Sequence, residues 1–280
     1  MARLARSPRL GATLLIAALA LGAGTACGSS TDSGDAPRPV ATTTVPAPEL
    51  RVLVTNDDGV GAPGIAALVQ GLQDLPATEV TVVAPAGNRS GSGSRTTAGR
   101  IEGQAATTAN GATATAVEGF PADAVNFALD TTPRSAWPHV VISGINEGQN
   151  LGVVIDVSGT VGAARTAATR GVPALAVSQG LGPVPDYPAG VRAALAWLKG
   201  HRAALLARPV GDGDASVTNL NVPTCPFGTP RPVVIVPPDP TANGIAPVDC
   251  TATFPAPTTD VEAFTRGYIT RTDDLRPPKA

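Results

Sequence analysis

The run Leu50-Arg51-Val52-Leu53-Val54-Thr55 passes directly into Asn56-Asp57-Asp58-Gly59, and this junction constrains the fold more than any other feature of the chain. A short β-branched run bounded by turn residues reads as a buried strand. Pro63 suits the first turn of a following helix, in which Ile65, Leu68, Val69 and Leu72 recur at helical spacing. Residues 79–84 form a second strand, closed by Pro85. Residues 50–85 are therefore a βαβ unit, and a parallel sheet follows. Further strands are expected at 139–142, 174–177 and 217–220, with helices at 160–170 and 188–199. This alternation predicts an α/β fold, a three-layer sandwich around a mostly parallel, Rossmann-like sheet. After Pro223 a series of prolines breaks any long element, leaving short strands near 233–236 and 268–270. Residues 224–272 are expected to be a C-terminal extension or oligomerisation arm of a domain covering 49–272.

The N-terminus reads as an address. Arg3, Arg6 and Arg9 precede an uncharged run from 10 to 26 that ends at Cys27. A basic segment followed by a short apolar one is an export signal. The segment before Cys27 resembles a bacterial lipoprotein signal, in which that cysteine is acylated after cleavage. Gly24 and Ala26 would equally suit an ordinary signal peptidase. Residues 1–26 are read as signal peptide, and 27–48 as the lipid-anchor Cys27 with a flexible tether rich in Ser, Thr, Pro and Gly. The expected location is the outer face of the cell membrane, or a secreted or periplasmic one if Cys27 is not acylated. Export would place Cys225 and Cys250 in an oxidising compartment, where a disulfide is favoured over two free thiols.

Charge and side-chain chemistry exclude several functions. Twenty basic against 22 acidic residues leave a formal charge of −2, which argues against duplex nucleic-acid binding. Loss of Arg3, Arg6 and Arg9 with the signal would lower it to −5. Two histidines and three cysteines exclude a His-rich metal site or a zinc ribbon. Ligands of open α/β sheets bind beyond the carboxyl ends of the strands. The segments expected there carry Asp57-Asp58, then Gly87-Asn88-Arg89-Ser90-Gly91, then Ser143-Gly144-Ile145-Asn146-Glu147-Gly148-Gln149-Asn150. Two carboxylates, a hydroxyl and amide oxygens form a hard set suited to Mg²⁺ or Mn²⁺, although Asp-Asp-Gly alone also fits an ordinary turn. Ser158-Gly159-Thr160 opens the Ala-rich helix, where free N–H groups attract anions; a plain N-cap explains the same residues. Neither a Gly-x-Ser-x-Gly elbow nor a Gly-x-x-x-x-Gly-Lys-Ser/Thr phosphate loop is present in the sequence. From the residues alone, the reading reaches a metal and an anion.

Four motifs in order then carry a resemblance: residues 54–60 with 62–65, 83–85 with 88–91, 143–152, and 158–161. Together with 219–223 and 267–270 they are similar to the survival protein E (SurE) nucleotidases over about residues 50–270. That resemblance implies a metal-dependent phosphatase acting on nucleoside 5′- and 3′-monophosphates. It implies one divalent cation per subunit on Asp57, Asp58, Ser90 and Asn146, with Asp57 and Asp58 as catalytic residues and Asp57 the first choice for activating water. Ser158, Gly159 and Thr160 would bind phosphate, with Asn88, Gly144 and Asn150 in support, and a homodimer or higher homo-oligomer is implied through the tail. Three segments depart from the family pattern, one of them residues 224–258, which carry the cysteine pair. Residues 153–157 read Val-Val-Ile-Asp-Val where the family commonly carries a Tyr and acidic residues, and Gly119-Phe120-Pro121-Ala122-Asp123 replaces a Gly-Thr-Pro-x-Asp segment. The competing reading is a non-catalytic lipoprotein that binds nucleotide or phosphate.

Overall fold

The computed structural model describes residues 49–275 except 214, 252, 254 and 255. The expected signal, Cys27 and the tether lie outside the described residues. Nine strands form one sheet in the order β3-β4-β2-β1-β5-β6-β7-β9-β8. They are β1 (Leu50–Thr55), β2 (Thr78–Pro85), β3 (Gly103–Thr107), β4 (Thr113–Val117), β5 (Val140–Glu147), β6 (Ala174–Gln179), β7 (Val217–Val222), β8 (Arg231–Ile235) and β9 (Tyr268–Thr272). The stretch β4-β2-β1-β5-β6-β7 is parallel throughout, while β3 and β9 pair antiparallel with β4 and β7.

Neighbouring side chains on a strand face opposite ways, so each central strand feeds two cores. Val52 and Val54 of β1 and Val140 and Ile142 of β5 join one cluster with α1 (Pro63–Gln73) and α4 (Tyr187–Ala207). Leu53 and Val141 join the other, with α2 (Pro121–Thr131) and α3 (Gly159–Thr169). This is the three-layer sandwich expected from the alternation. A short helix, α5 (Asp260–Thr265), packs beside β9. Among the described residues no helix is long and apolar enough to cross a membrane.

The structure differs from the sequence reading in several places. The hairpin β3–β4 and helices α2 and α5 are additional elements. β3 is mostly exposed and carries Gly and Ala rather than the β-branched residues that mark a strand. Helix α2 starts at Pro121 and is capped by Asp123, whose carboxylate accepts the Phe120 N–H at 2.9 Å and the Thr97 hydroxyl at 2.7 Å. Asp123 of the altered Gly-Phe-Pro-Ala-Asp segment thus fastens the 95–100 loop to this helix. Helix α4 runs to Ala207, so His201 stacks on Trp197 within the helix rather than ending it. The largest difference lies in β5, which does not stop at 142 but continues through Asn146 to Glu147, with a register shift between Ser143 and Asn146.

Cys225 and Cys250 are disulfide-bonded, with Cα atoms 5.8 Å apart across 25 residues of sequence. A loop of that size is worth about 3 kcal/mol in the chain-entropy account. The bond ties the proline-rich extension to the end of β7 without a core of its own.

Candidate active site

The strand order reverses its progression between β1 and β5: the chain moves outward to β2 and β4 on one side, and to β6 and β7 on the other. At such a switch point the loops part and leave a crevice beyond the carboxyl ends. Asp57 and Asp58 follow β1 into this crevice, and Asn146 reaches it from the last turn of β5. Asn56 shapes the first loop from within, donating Nδ2 to Gly59 O (2.8 Å) and accepting the Gly59 N–H at 3.2 Å.

Asp57 is 3 % exposed. Its Oδ1 accepts the Thr160 hydroxyl at 2.6 Å, and the N–H groups of Gly159 and Thr160 at the start of α3 also face it. A Cβ added at Gly159 would sit 2.8–2.9 Å from the Asp57 side chain, so only glycine admits the carboxylate this close. Burial pushes the Asp57 carboxyl above the usual carboxylate range, against the opposing pull of Thr160 and the helix N–H groups. Asp58 accepts the Glu147 N–H at 3.1 Å. Its pKa is pushed up to about 6, first by burial and then by the adjacent Asp57 charge. Asn146 donates Nδ2 to Gly148 O at 2.5 Å, so its Oδ1 is the atom that could face a cation.

The 88–94 loop is held over this pair by its backbone. The Arg89 N–H bonds Asp57 O at 2.6 Å, and Asn88 Oδ1 accepts the Ser90 N–H at 2.9 Å. Ser90, the residue after Arg89, is exposed. Gly162 permits the loop to cross the first turn of α3, because a Cβ there would meet Gly93 O at 2.0 Å. The Arg89 guanidinium turns away from the crevice, donating to Gly119 O at 3.2 Å and lying 3.7 Å from Glu118. Ser158 caps α3 by accepting the Val161 N–H at 3.1 Å, so its side chain does serve as the N-cap. Asn150 is buried and donates to Ser178 Oγ (2.8 Å) and Thr160 Oγ1 (3.4 Å). Gly144 sits inside β5 with φ +141°, and a Cβ there would meet Val177 O at 2.3 Å, so its place is a tight packing contact with β6.

Some parts of the site were not read from the sequence. Ser92 is 4 % exposed, and its Oγ has no hydrogen-bond partner among the described residues. It flanks the same point beside Gly159 as Asp57 Oδ2 does. The Ser-x-Ser spacing of Ser90 and Ser92 was the available signal. Asn219 and Asn221, two apart on β7, both donate to Asn150 O, at 2.8 and 3.2 Å. Their period-2 spacing was visible, but their partner was not. Tyr187 donates to Glu147 Oε2 at 3.2 Å, and burial beside Glu147 raises its pKa.

The donor chemistry fits a divalent cation. Asp57, Asp58, Asn146 and Ser90 offer only oxygen, the orphaned Ser92 hydroxyl lies alongside, and two adjacent carboxylates are left without an ion pair among the described residues. Mg²⁺ and Mn²⁺ take such ligands. Among the described residues no three or more His, Cys, Asp or Glu side chains are grouped so as to hold a metal ion, so any such ion would need amide and hydroxyl oxygens beside the two carboxylates.

The family described as survival protein SurE matches residues 52–237. A protein of Symbiobacterium thermophilum named 5′-nucleotidase SurE is 41% identical over 178 residues, covering 62% of this chain and 66% of that protein. One of the same name from Halobacterium salinarum is 48% identical over 133 residues, covering 47% and 48%. The chain thus spans between about half and two thirds of the length of these relatives. The crystal structure of the SurE protein from Aquifex aeolicus superimposes with a TM-score of 0.64 at 25% identity, covering 80% of this chain and 92% of that one. With the match extending from the middle of β1 past β8, the chain belongs to the SurE family.

Proposed function

We propose that this chain is a divalent-metal-dependent phosphomonoesterase that hydrolyses nucleoside 5′-monophosphates, and 3′-monophosphates as a second class, to nucleoside and phosphate. The observation that carries the reading is the convergence of Asp57, Asp58 and Asn146 with the N-terminus of α3 at the β1/β5 switch point. Relatives named 5′-nucleotidase support the choice of substrate.

Asp57, Asp58, Asn146 and Ser90 would hold one Mg²⁺ or Mn²⁺ per subunit. Such an ion polarises a phosphoryl oxygen and acidifies water. The chain's own groups do the rest. The N–H groups opening α3 and the Thr160 hydroxyl orient an anionic phosphate, as a helix N-terminus does. Asn150 keeps Thr160 in place through its side-chain amide. Asp57, held at the mouth of α3 by Thr160, is placed to take a proton from attacking water and return it to the departing alcohol. Asp58 is fixed by the Glu147 N–H so that its charge stays beside Asp57 rather than swinging into solvent.

Export and anchoring through acylated Cys27, with a secreted or periplasmic form if it is not acylated, belong to the same proposal. The Cys225–Cys250 bond supports an oxidising compartment. Self-association into a homodimer or larger homo-oligomer is supported by β8, an edge strand that leaves Val233 and Ile235 exposed.

The purified chain should release phosphate from AMP, GMP and p-nitrophenyl phosphate with Mn²⁺ or Mg²⁺, and EDTA should abolish this. Asp57→Asn should lower kcat by about 100- to 10,000-fold; turnover indifferent to both EDTA and this substitution would refute the mechanism. Asp58 generates a stability prediction of the opposite sign. With its pKa raised from 3.8 to about 6, the native metal-free protein binds the proton more tightly than the unfolded chain. Its stability therefore falls as pH rises between those values. Asp58→Asn should remove that penalty, making the metal-free protein more stable at pH 7 by about 1 kcal/mol once partial exposure is allowed for. The same variant should lose the rise in melting temperature that Mn²⁺ gives the parent; a less stable apo variant would contradict the electrostatic account. For the anchor, Cys27→Ser should move the protein from the detergent to the aqueous phase in Triton X-114 partitioning, whereas unchanged partitioning would exclude the lipid.

A further inference from the structure

A cavity opens beside the loop that follows β5, reached at Gln149, three residues on from Asn146. It has a volume of about 340 Å³ and is walled by Leu181, Pro183, Pro226, Ile245, Pro247 and Val248, with Gln149 at its inner end. Ligand sites run from about 300 to 1,000 Å³, so this cavity admits a nucleoside-sized group and little more. Its walls are mostly apolar, with Gln149 and Thr224 the polar residues among them, and carry no charge. Leu181 and Ile245 stand 57 % and 73 % exposed at its rim, an unusual exposure for large aliphatics unless something covers them.

Gln149 joins this cavity to the site. Its Nε2 donates to Gly244 O at 2.9 Å and its Oε1 accepts the Leu181 N–H at 3.1 Å, so one side chain clamps both walls. Leu181 also comes against Gly148, the residue whose carbonyl holds the Asn146 amide. The outer wall, residues 245–248, lies beyond the 52–237 segment that matches the family. It is held by three ties of this chain's own: the Cys225–Cys250 bond, the Val153 N–H to Ala242 O (3.0 Å), and Asp260. That buried carboxylate accepts the Gly152 N–H at 2.9 Å and the Asp239 N–H at 2.8 Å, joining the extension to the end of the β5 loop.

We infer that this cavity is the subsite for the nucleobase of the phosphomonoester, with the extension supplying the apolar wall against which the ring packs. The inference rests on the phosphatase reading for the identity of the whole substrate, although ring binding itself does not. An uncharged, largely aliphatic and proline-lined slot favours a flat aromatic ring over a sugar or a second phosphate, and the contact of Leu181 with Gly148 sets it next to the loop that holds Asn146. Contacts of this kind bind ground and transition states alike, so they act on KM rather than on kcat.

The test uses the full chain with Mn²⁺ and the rim variants Leu181→Asp and Ile245→Asp, both at exposed positions outside the catalytic set. Two substrates, AMP and glycerol 2-phosphate, are compared, and adenosine binding is measured separately by equilibrium dialysis. The expected result is a rise of about tenfold or more in KM for AMP and a matching loss of adenosine affinity, with glycerol 2-phosphate turnover unchanged. Parallel loss on both substrates, or unchanged AMP kinetics and adenosine affinity, would overturn the subsite. If neither ester is turned over but the variants still lose adenosine, the subsite stands and the phosphatase reading falls.

Discussion

The hydrogen bond from the Thr160 hydroxyl to Asp57, 2.6 Å long and buried, is the contact on which the site depends. It joins the carboxyl end of β1 to the N-terminus of α3, elements 103 residues apart in sequence. A carboxylate this deeply buried would be costly without donors. The Thr160 hydroxyl and the first N–H groups of α3 provide them, and the same groups are what an anionic substrate would use. The site is therefore built from one unresolved competition: Asp57 and a phosphate draw on the same donors, while Asp57 and Asp58 repel each other. A bound cation relieves the second and allows the first. Such strain at a functional site is usual where activity is maintained at the expense of stability.

The framework was legible because it rests on local signals. Val52 and Val54 alternating with Leu53, and Ile65, Leu68, Val69 and Leu72 at helical spacing, announce a βαβ unit without reference to any distant residue. The ligand-type residues Asp57, Asp58, Ser90 and Asn146 could be named because strand ends in a parallel sheet face one way. What could not be read was which atoms meet across the crevice. Ser92 is orphaned only because Gly162 lets the loop cross α3 closely. Asn219 and Asn221 matter only because Asn150 arrives beside them in the loop after β5. The continuation of β5 through Asn146 was hidden because Ser-Gly-Ile-Asn-Glu-Gly looks like a loop in sequence, yet pairs with β6 through a shifted register.

The C-terminal extension illustrates a different limit. Its prolines exclude long elements, and α5, six residues long, is invisible to periodicity. Yet Asp260 at the start of that helix ties the extension to Gly152, and the disulfide fixes its other side. A segment with no core of its own is thereby given a defined surface next to the site. The chain's formal charge of −2 offers anionic nucleotides no long-range attraction. On the proposed reading, capture would rest on short-range features: the helix N-terminus, a cation on Asp57 and Asp58, and an apolar wall for the ring.

The central claim is that Asp57, Asp58, Asn146 and Ser90 hold one divalent ion at the β1/β5 switch point. Anomalous diffraction from crystals grown with Mn²⁺ tests it most directly. The account predicts one strong peak per subunit, enclosed by oxygens of these four residues and absent in Asp57→Asn crystals grown the same way. A peak elsewhere on the molecule, or none in crystals whose protein hydrolyses nucleotide, would contradict it.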